Sequence, residues 1–302
     1  MSKARIGFIG LGNMGGRMTK CLVAAGHPVL GHDTAADRAA ACGATAAASV
    51  REVVAGSDYI LLSLPDSRAI EAVVEGPDGV LAHARKGQVL IDLSTAAPSS
   101  TLRLNARLAE RGVSLIDAGV SGGAAAAEKG ALTLMVGGDE AQVEAARWVF
   151  APISHKIFYM GASGAGHTAK LLNNFLNAVS LAATAEVMVA GKKAGLDLQL
   201  LLAALNNSSG INFATLNRFP KIVDGDYLEG GLTGKLMTKD VLLYIDCARE
   251  LGVASLNAAG PLASFGLGTA LGYGDQISNR VVDAIGDMSG GVRLHTATGN
   301  KP

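Results

Sequence analysis

Four polar side chains share one face of an otherwise apolar helix, which the pattern predicts for residues 164–191. Lys170, Asn173, Asn174 and Asn177 stand at i, i+3, i+4 and i+7, a spacing that places them in one stripe. The surrounding positions are apolar, so the pattern predicts a buried helix whose stripe faces a polar cavity. A buried ammonium is costly unless it is partnered or used, and Lys170 is therefore the first candidate for chemistry.

A lysine in an apolar setting can serve as a general acid or base near neutral pH, because desolvation lowers the pKa of an ammonium group. As an ammonium it also stabilises negative charge on oxygen, most strongly where water is excluded. Asn174 lies one turn later and can hydrogen-bond the lysine or a substrate hydroxyl without adding charge. His167 lies one turn earlier, where it could tune Lys170 or simply begin the helix.

A strand, a glycine-rich turn and a helix open the chain. The apolar run 5–10 ends in Gly10-Leu-Gly-Asn-Met-Gly15, and a helical pattern continues to Gly26. In this fingerprint the first glycine permits the turn, the second lets a pyrophosphate approach, and the third packs the helix on the strand. The helix N-terminus then receives the phosphates. The predicted cofactor-binding residues of this turn are Gly10, Leu11, Gly12, Asn13, Met14 and Gly15.

Asp33 ends the second predicted strand, 21 residues after Gly12. A carboxylate at this distance can accept both ribose hydroxyls of the adenosine and repels a 2′-phosphate. The first basic residue that follows is Arg38, so we predict NAD rather than NADP as the cofactor. The alternative is that Asp33 only caps the turn into the next helix.

Further strands are expected with the spacing of a parallel sheet, at 58–64, 87–93, 113–117 and 131–136. Ligands bind beyond the carboxyl ends of such strands, where this chain has Leu64-Pro65, Thr95 and Ser121. These residues could equally be ordinary turn formers. Ser121-Gly122-Gly123 could also form an anion nest of successive N–H groups, which would hold a substrate carboxylate.

The second half of the chain has no alternating strand pattern. Helical patterns occupy 198–205, 232–251, 262–271 and 281–288. We therefore predict an α/β Rossmann-type dinucleotide-binding domain at 1–162, a long interdomain helix at 163–192, an all-α domain at 193–290 and a frayed tail at 291–302.

Composition narrows the classes of function. Hydrophobic residues make up 49% of the 302 residues and charged ones 17%, and the net charge is 0, which gives no reason to expect a nucleic-acid partner. Cys21, Cys42 and Cys247 have no paired spacing, which predicts reduced thiols in a cytoplasmic protein and no metal site. The longest apolar stretch, 171–191, carries three asparagines and Glu186, so we predict a core helix and no membrane span.

Four motifs, taken in order, resemble the signatures of the β-hydroxyacid dehydrogenase family. They are Gly7-Phe-Ile-Gly-Leu-Gly-Asn-Met-Gly15, Asp117-Ala-Gly-Val-Ser-Gly-Gly123, Gly164-x-Gly-x-x-x-Lys170-x-x-Asn-Asn174 and Lys239-Asp240. The resemblance extends over almost the whole chain, and four ordered motifs are far more specific than one glycine pattern. The family includes 3-hydroxyisobutyrate dehydrogenase and tartronate semialdehyde reductase.

The resemblance implies a role for each motif. Lys170 would be the catalytic acid and base, and Asn174 would orient the substrate. Ser121, Gly122 and Gly123 would bind its carboxylate, while Leu64, Pro65, Thr95 and Lys239 would contact the cofactor. From the residues alone, Lys239 and its neighbour Lys235 could equally form a solvated helix face. The family also implies a homodimer or homotetramer assembled through the helical domains.

One departure from the family pattern lies close to the predicted carboxylate site. Gly119 stands where the family usually has proline, which predicts a looser substrate loop. Ala126, Ala131 and Phe213 also differ from the usual residues, and these differences bear on the identity of the substrate rather than on the type of reaction.

The resulting hypothesis is an NAD-dependent oxidoreductase that moves a hydride between the nicotinamide and the hydroxyl carbon of a small 3-hydroxy acid. Candidate substrates are 3-hydroxyisobutyrate, 3-hydroxypropionate, glycerate, serine-like acids and threonate. Alternatives are an imine reductase, a 6-phosphogluconate dehydrogenase-like enzyme and a non-catalytic NAD-binding scaffold. The signature lysine argues against the imine reductase and the scaffold, and the lack of a basic cluster argues against a sugar-phosphate substrate.

Overall fold

The computed structural model describes residues 4–295, and the chain divides into two compact units, Met1–Lys170 and Leu171–Pro302. We refer to them as the N-terminal unit and the C-terminal unit. The domain bounds expected at 162, 192 and 290 stay predictions. Of the tail expected to be frayed, residues 296–302 lie outside the described part of the chain.

One sheet of eight strands forms the centre of the N-terminal unit. The strands are β1 (Ile6–Ile9), β2 (Val29–His32), β3 (Thr45–Ala46), β4 (Tyr59–Leu62), β5 (Val89–Asp92), β6 (Ser114–Ser121), β7 (Leu132–Gly137) and β8 (Ser154–Gly161). Their order across the sheet is β3-β2-β1-β4-β5-β6-β7-β8. The order reverses direction at β1, and in open α/β sheets this switch point is where ligands bind.

Within the described residues of this unit, nine helices connect these strands. They are α1 (Asn13–Ala24), α2 (Arg38–Ala41), α3 (Val50–Gly56), α4 (Ser67–Glu75), α5 (Val80–His83), α6 (Pro98–Ala109), α7 (Gly123–Glu128), α8 (Glu140–Ala145) and α9 (Arg147–Phe150). Local sequence fixes several of their starts, because Ser49, Asp66 and Asp139 each accept an N–H from the third helical residue.

Both faces of the central strands β1, β4 and β5 are buried, as expected for strands covered by helices on two sides. Adjacent strand residues point to opposite faces, and Phe8 and Ile9 accordingly belong to two different apolar clusters. Met18 and Leu22 of α1 pack in the first cluster, and Val53 and Val54 of α3 pack in the second.

The sheet differs from the predicted one in several respects, beginning with the two-residue strand β3, which was not predicted. β6 continues through Ser121 instead of ending at Asp117, and it pairs antiparallel with β7. β8 was not predicted, although it adds eight residues at the edge of the sheet. Gly119 lies within paired β6, so the looser loop expected there is wrong.

The C-terminal unit is helical throughout its described residues. Its helices are α10 (Ala165–Lys193, which begins in the N-terminal unit), α11 (Leu198–Asn206), α12 (Phe213–Asn217), α13 (Phe219–Ile222), α14 (Gly234–Glu250), α15 (Ala259–Ala270) and α16 (Val281–Met288). Short 3₁₀ turns occupy Leu256–Ala258 and Ser278–Arg280. Phe175 of α10 stacks on Tyr244 of α14 with ring centroids 3.7 Å apart, which ties the two longest helices together.

Helix α10 is less completely buried than the sequence predicted. Leu172 and Leu176 are exposed, and so is Asn173 of the polar stripe. Lys170 and Asn174 are buried and Asn177 is intermediate, so only part of the stripe occupies the environment expected for it. Among residues 4–295, no helix is long and apolar enough to cross a membrane, and no group of histidine, cysteine or acidic side chains could hold a metal ion.

Candidate active site

The turn between β1 and α1 has the geometry of a phosphate-binding loop. Gly10 has φ +88°, which other residues rarely adopt. A Cβ at Gly15 would lie 1.9 Å from the carbonyl oxygen of Gly10, so only glycine lets α1 pack this closely. A Cβ at Gly12 would meet only the Arg38 guanidinium, at 3.4 Å, and Gly12 is also the N-cap of α1. The missing side chain at Gly12 leaves space at the N-terminus of α1, and the turn therefore fits a pyrophosphate.

Asp33 is held beside this turn by several hydrogen bonds. Its carboxylate accepts the N–H of Leu11 at 2.7 Å and the N–H of Ala35 at 2.9 Å. Arg38 lies 3.3 Å from both oxygens. Burial alone would raise the pKa of Asp33, but the two N–H donors and Arg38 outweigh it and hold that pKa below its ordinary value. Asp33 is thus an ionised acceptor at neutral pH.

Arg38 lies closer to Asp33 than its position in the sequence suggested. Its distance along the chain suggested that no cation stands near Asp33, yet the short helix α2 begins at Arg38 and brings its guanidinium onto the carboxylate. Its side chain remains 49% exposed, while that of Asp33 is 6% exposed. A positive charge therefore lies directly beside the Asp33 carboxylate.

The ends of β4 and β5 are tied together next to Gly10. The N–H of Leu64 donates to Oγ of Ser94 at 2.9 Å, and Ser94 in turn donates its N–H to Asp92 at 3.0 Å. The Leu64 side chain lies within 2.9 Å of the Cβ position of Gly10. Pro65 and Thr95 follow in the same two loops. Leu64, Pro65 and Thr95, which were predicted to contact the cofactor, thus follow the ends of the neighbouring strands β4 and β5.

Ser121, Gly122 and Gly123 lie where β6 passes into α7. Ser121 is the last residue of β6 and pairs with Thr133. Gly122 and Gly123 follow with φ +128° and +69°, and both are exposed. A turn of two left-handed glycines after a strand presents backbone N–H groups outward, and this fits the predicted anion nest.

Lys170 is buried, with 8% of its surface exposed, and packs directly on β6. A Cβ built on Gly119 would lie 2.4 Å from Cβ of Lys170, so any larger residue would push the lysine away. A Cβ at Gly166, one turn earlier, would lie 2.5 Å from the carbonyl oxygens of Asp117 and Met135. Glycines on both elements therefore allow the first turns of α10 to lie against β6 and β7.

Asp117 fastens the start of α10 to the sheet. Its carboxylate is fully buried and accepts the N–H of Gly164 at 2.7 Å and the N–H of His167 at 2.8 Å. These donors lie just before and within the first turn of α10, where N–H groups have no intrahelical partners. The strand that ends at Ser121 thereby caps the helix that carries Lys170.

The ring of His167 is held between α6 and the end of β5. The ring is fully buried, and Nδ1 shares a hydrogen bond of 2.7 Å with Oγ1 of Thr101 in α6. Nε2 lies 3.9 Å from Asp92. This residue joins α10 to α6 and to the end of β5, a role that neither sequence interpretation included.

In the C-terminal unit, Asn174 belongs to a hydrogen-bonded chain. Its amide donates to Oδ2 of Asp240 at 2.5 Å, and its Oδ1 accepts from Asn173 at 3.2 Å. The other oxygen of Asp240 lies 3.1 Å from Nζ of Lys239. Lys235, one turn earlier, is exposed and pairs with Asp275. Lys239 therefore pairs with the same aspartate that accepts from Asn174, whereas Lys235 lies on a solvated face.

Sequence reasoning missed the contributions of Asp117 and Asp240, and it considered His167 without its contacts to Thr101 and Asp92. Asp117 and Asp240 stood within the recognised motifs, and an acidic residue in an apolar strand or helix was the available signal. The partner of each could not be seen, because Asp117 lies 47 residues from Gly164 and Asp240 lies 66 residues from Asn174.

Comparison with known proteins places this geometry in a family. A family model described as the NAD binding domain of 6-phosphogluconate dehydrogenase matches residues 5–161. A second, described as NAD-binding of NADP-dependent 3-hydroxyisobutyrate dehydrogenase, matches residues 164–281. The NAD-dependent L-serine dehydrogenase of Pseudomonas aeruginosa is 40% identical over 273 residues, which cover 87% of this chain and 90% of that protein. The chain belongs to the β-hydroxyacid dehydrogenase family.

Two further relatives support the family and its fold. The 2-(hydroxymethyl)glutarate dehydrogenase of Eubacterium barkeri is 37% identical over 290 residues, covering 95% of this chain and 96% of that protein. A structure of Mycobacterium tuberculosis 3-hydroxyisobutyrate dehydrogenase with L-serine has a TM-score of 0.85 at 33% identity, covering 93% and 99% of the two chains.

Membership confirms several predictions. The fold is a Rossmann-type domain followed by a helical one, and the protein is an oxidoreductase of the hydroxyacid dehydrogenase type with a nicotinamide dinucleotide as its cofactor. The relatives differ in the acid that they are named for, so the family does not by itself determine the substrate.

Proposed function

We propose that this protein is a cytoplasmic, NAD-dependent dehydrogenase of a small 3-hydroxy acid of the 3-hydroxyisobutyrate type, with Lys170 as general acid and base. The observation that carries the proposal is the position of Lys170. It is buried against Gly119 of β6, and the same strand caps its helix through Asp117 and ends at the Ser121-Gly-Gly turn. The proposed proton carrier therefore packs against the strand that ends at the proposed carboxylate site.

The residues divide the chemistry between them. When bound, the nicotinamide supplies the hydride acceptor. Lys170 removes the proton of the substrate hydroxyl as the hydride leaves, and in the reverse direction it returns that proton to the developing alkoxide. Ser121, Gly122 and Gly123 hold the substrate carboxylate through N–H groups and a hydroxyl. Asn174, fixed by Asp240, orients the hydroxyl.

The remaining predicted site residues would bind the cofactor. The turn from Gly10 to Gly15, including Leu11, Asn13 and Met14, would hold the pyrophosphate, and Asp33 would accept the ribose hydroxyls. Leu64, Pro65 and Thr95 would contact the cofactor from the ends of β4 and β5. Lys239 would contact it from α14, where the pairing with Asp240 fixes its ammonium.

We infer a preference for NAD that is limited by Arg38. The buried, ionised Asp33 repels a 2′-phosphate, but Arg38 lies 3.3 Å away and supplies a compensating charge. Use of NADP is therefore expected to be weaker than use of NAD without being abolished. Steady-state kinetics with both cofactors measure this preference, and a more than tenfold preference for NADP would contradict it.

A substrate panel tests the proposed function directly. Purified protein with NAD should generate NADH absorbance with at least one of 3-hydroxyisobutyrate, 3-hydroxypropionate, L-serine, glycerate, threonate and 2-(hydroxymethyl)glutarate. The 2-hydroxy isomers serve as controls, because their hydroxyl lies one carbon closer to the carboxylate. Absence of NADH formation with every 3-hydroxy acid would overturn the proposal, and equal rates with the 2-hydroxy isomers would overturn the substrate class.

We further propose a homodimer or homotetramer assembled through the helical unit. Leu176, Leu200 and Phe213 of this unit are exposed by 66%, 71% and 59%, and burial between copies would remove this apolar surface from water. Light scattering at micromolar concentration reports the state, and a monomer would contradict the proposal. The cytoplasmic location agrees with free thiols at Cys21, Cys42 and Cys247.

A further inference from the structure

Arg17 lies beside the turn that is proposed to bind the pyrophosphate. It belongs to the second turn of α1, four residues after Asn13, with which the helix begins. Residues four apart share one face of a helix, and side chains lean toward the helix N-terminus, so Arg17 extends back over the first turn. Its Nη1 donates to the carbonyl oxygen of Asn13 at 2.7 Å and also to Oδ1 of Asn13. A guanidinium therefore stands at the end of α1 that is proposed to receive the phosphates.

This guanidinium is held in a fixed orientation and keeps donors for a ligand. Its Nε donates to Oε2 of Glu128 in α7 at 3.1 Å, in addition to the two bonds from Nη1 to Asn13. Among residues 4–295, Nη2 has no hydrogen-bond partner, and the side chain is 31% exposed, so a ligand can reach it. Fixing a binding group in advance reduces the entropy lost when a ligand binds.

The charges at the turn favour an additional cation. A dinucleotide brings two negative charges in its pyrophosphate, while a helix N-terminus contributes only about half a positive charge. The ionised Asp33 adds repulsion, because its carboxylate accepts the N–H of Leu11 in the same turn at 2.7 Å. Arg38 lies 3.3 Å from both oxygens of Asp33, so its charge mainly offsets that carboxylate. Arg17 can therefore supply positive charge that the pyrophosphate needs.

The ion pair between Arg17 and Glu128 does not prevent such a contact. The Glu128 side chain is 58% exposed, and exposed ion pairs contribute little to stability, so a pyrophosphate can share the guanidinium at little cost. The same ion pair could instead serve only to hold α7 on α1, where Sγ of Cys21 also donates to the carbonyl oxygen of Ala127 at 3.3 Å. These two roles of Arg17 predict different effects of changing Glu128.

We propose that Arg17 is a further cofactor-binding residue, whose guanidinium contacts the pyrophosphate of the dinucleotide. The inference rests on the part of the proposed function that places the pyrophosphate at Gly10–Gly15. Arginine suits this contact, because the parallel N–H donors of a guanidinium match phosphate oxygens. Asn13 would keep Nη1 in place while Nη2 binds a phosphate oxygen. One side chain would thus supply a full positive charge, which the backbone of the glycine turn cannot provide.

Binding of ADP-ribose measures this contact without turnover, because ADP-ribose has the pyrophosphate but no nicotinamide. In calorimetric titrations of the full chain, Arg17→Met should raise the Kd of ADP-ribose at least about fivefold. This bound lies below the usual effect of a hydrogen bond to a charged group, since the guanidinium is partly exposed. Arg17→Lys keeps a positive charge and should bind ADP-ribose more tightly than Arg17→Met does. A Kd that rises less than about fivefold in Arg17→Met would overturn the inference.

A change of Glu128 separates direct contact from helix packing. Glu128→Gln breaks the ion pair between α1 and α7 but keeps Arg17 and its bonds to Asn13. It also removes a negative charge near the turn, so ADP-ribose should bind at least as tightly as it does to the wild-type protein. If Glu128→Gln weakens ADP-ribose binding as much as Arg17→Met does, Arg17 acts by holding α7 on α1, and the inference is wrong.

Arg147→Met serves as a matched control for the loss of an arginine. Arg147 also belongs to the N-terminal unit, is partly exposed and pairs with one acidic residue, Glu144. It precedes Trp148, whose ring packs beside the first residue of β4 and so lies at the end of the parallel strands remote from Gly10. The Kd of ADP-ribose should be unchanged. An equal loss of affinity in this variant would mean that removing any positive charge weakens binding, which would contradict a specific contact.

Adenosine relates the effect to the pyrophosphate. It lacks the pyrophosphate, so its Kd should change little between the wild-type protein and Arg17→Met. An equal loss for adenosine and ADP-ribose would show that the variant disturbs the whole site and would refute the inference. If the wild-type protein does not bind ADP-ribose, the pyrophosphate site at Gly10–Gly15 fails, and the inference fails with it. If ADP-ribose binds but no hydroxy acid is oxidised, the proposed reaction fails, and these titrations still decide the role of Arg17.

Discussion

Replacing Lys170 by alanine is expected to lower turnover at least about 100-fold, which is the lower end of the effect of losing a general acid or base. Binding of NAD should be nearly unchanged, because the proposed pyrophosphate and ribose contacts lie at Gly10–Gly15 and Asp33. The lysine is 8% exposed and packs on Gly119, so the alanine variant leaves space without disturbing the glycine contacts of β6. Single-turnover hydride transfer and calorimetric titration of NAD measure the two effects separately.

Two variants identify the property of Lys170 that matters. Lys170→Arg keeps the positive charge but cannot give up its proton near neutral pH, so it should be almost as slow as the alanine variant. Lys192→Ala removes an exposed lysine from the same helix and should retain full activity. A Lys170→Ala enzyme with more than half of the wild-type turnover would rule out the acid–base role. Full activity of Lys170→Arg would leave only an electrostatic role.

Features that depend only on the spacing of nearby residues could be predicted from the sequence. The fingerprint at Gly10–Gly15 depends on one turn, and the structure gives Gly10 the positive φ and Gly15 the close packing expected of them. The polar stripe of α10 and the glycines at 122 and 123 are likewise local. All of the stripe was expected to face a cavity, but Asn173 is exposed. The spacing of residues along a helix shows which of them share a face, but it does not show which other element covers that face.

Contacts between distant segments could not be predicted in this way. Arg38 is five residues from Asp33 and was discounted, yet the start of α2 turns its side chain back onto the carboxylate. The amide of Asn174 was expected to serve Lys170 or the substrate, and it is held by Asp240 from another helix. Strand β8 escaped notice because an edge strand of this sheet shows little burial and therefore no clear hydrophobic pattern.

The polar stripe on α10 is better described as three different attachments along one helix. Lys170 packs on Gly119, Asn174 donates to Asp240, and Asn177 accepts from Arg218. Each of these partners lies on a different element: β6, α14 and the junction of α12 with α13. These three polar positions of this mostly apolar helix are therefore each accounted for by a contact with another element.

The second large effect is expected from Asp117, which we assign as a positioning residue. Asp117→Asn keeps the size of the side chain but turns one acceptor into a donor, so one of the two N–H groups at the start of α10 loses its partner. Both donors are buried, at 2.7 and 2.8 Å from the carboxylate. A hydrogen bond to a charged group contributes about 1.5–3 kcal/mol, and an unpaired buried donor adds its desolvation cost. We therefore expect the N-terminal unit to lose at least about 2 kcal/mol of unfolding free energy.

Fluorescence of Trp148 makes this measurement specific to the N-terminal unit. It is the only tryptophan, and its ring lies 5.2 Å from those of Tyr59 and His27 in that unit. Urea titrations should be compared with those of Asp139→Asn, which alters the exposed cap of α8 with its single bond to Gln142 and should cost about 1 kcal/mol or less.

Turnover distinguishes positioning from general stability. Under conditions where both variants are fully folded, Asp117→Asn should still be at least about tenfold slower, because Lys170 follows the loosened turn and small displacements of a catalytic group are costly. Asp139→Asn should be as active as wild type. KM for NAD should be unaffected in both. If Asp117→Asn is no less stable than Asp139→Asn, the carboxylate does not hold the helix. If it is less stable but equally active when folded, Asp117 stabilises the fold without positioning Lys170.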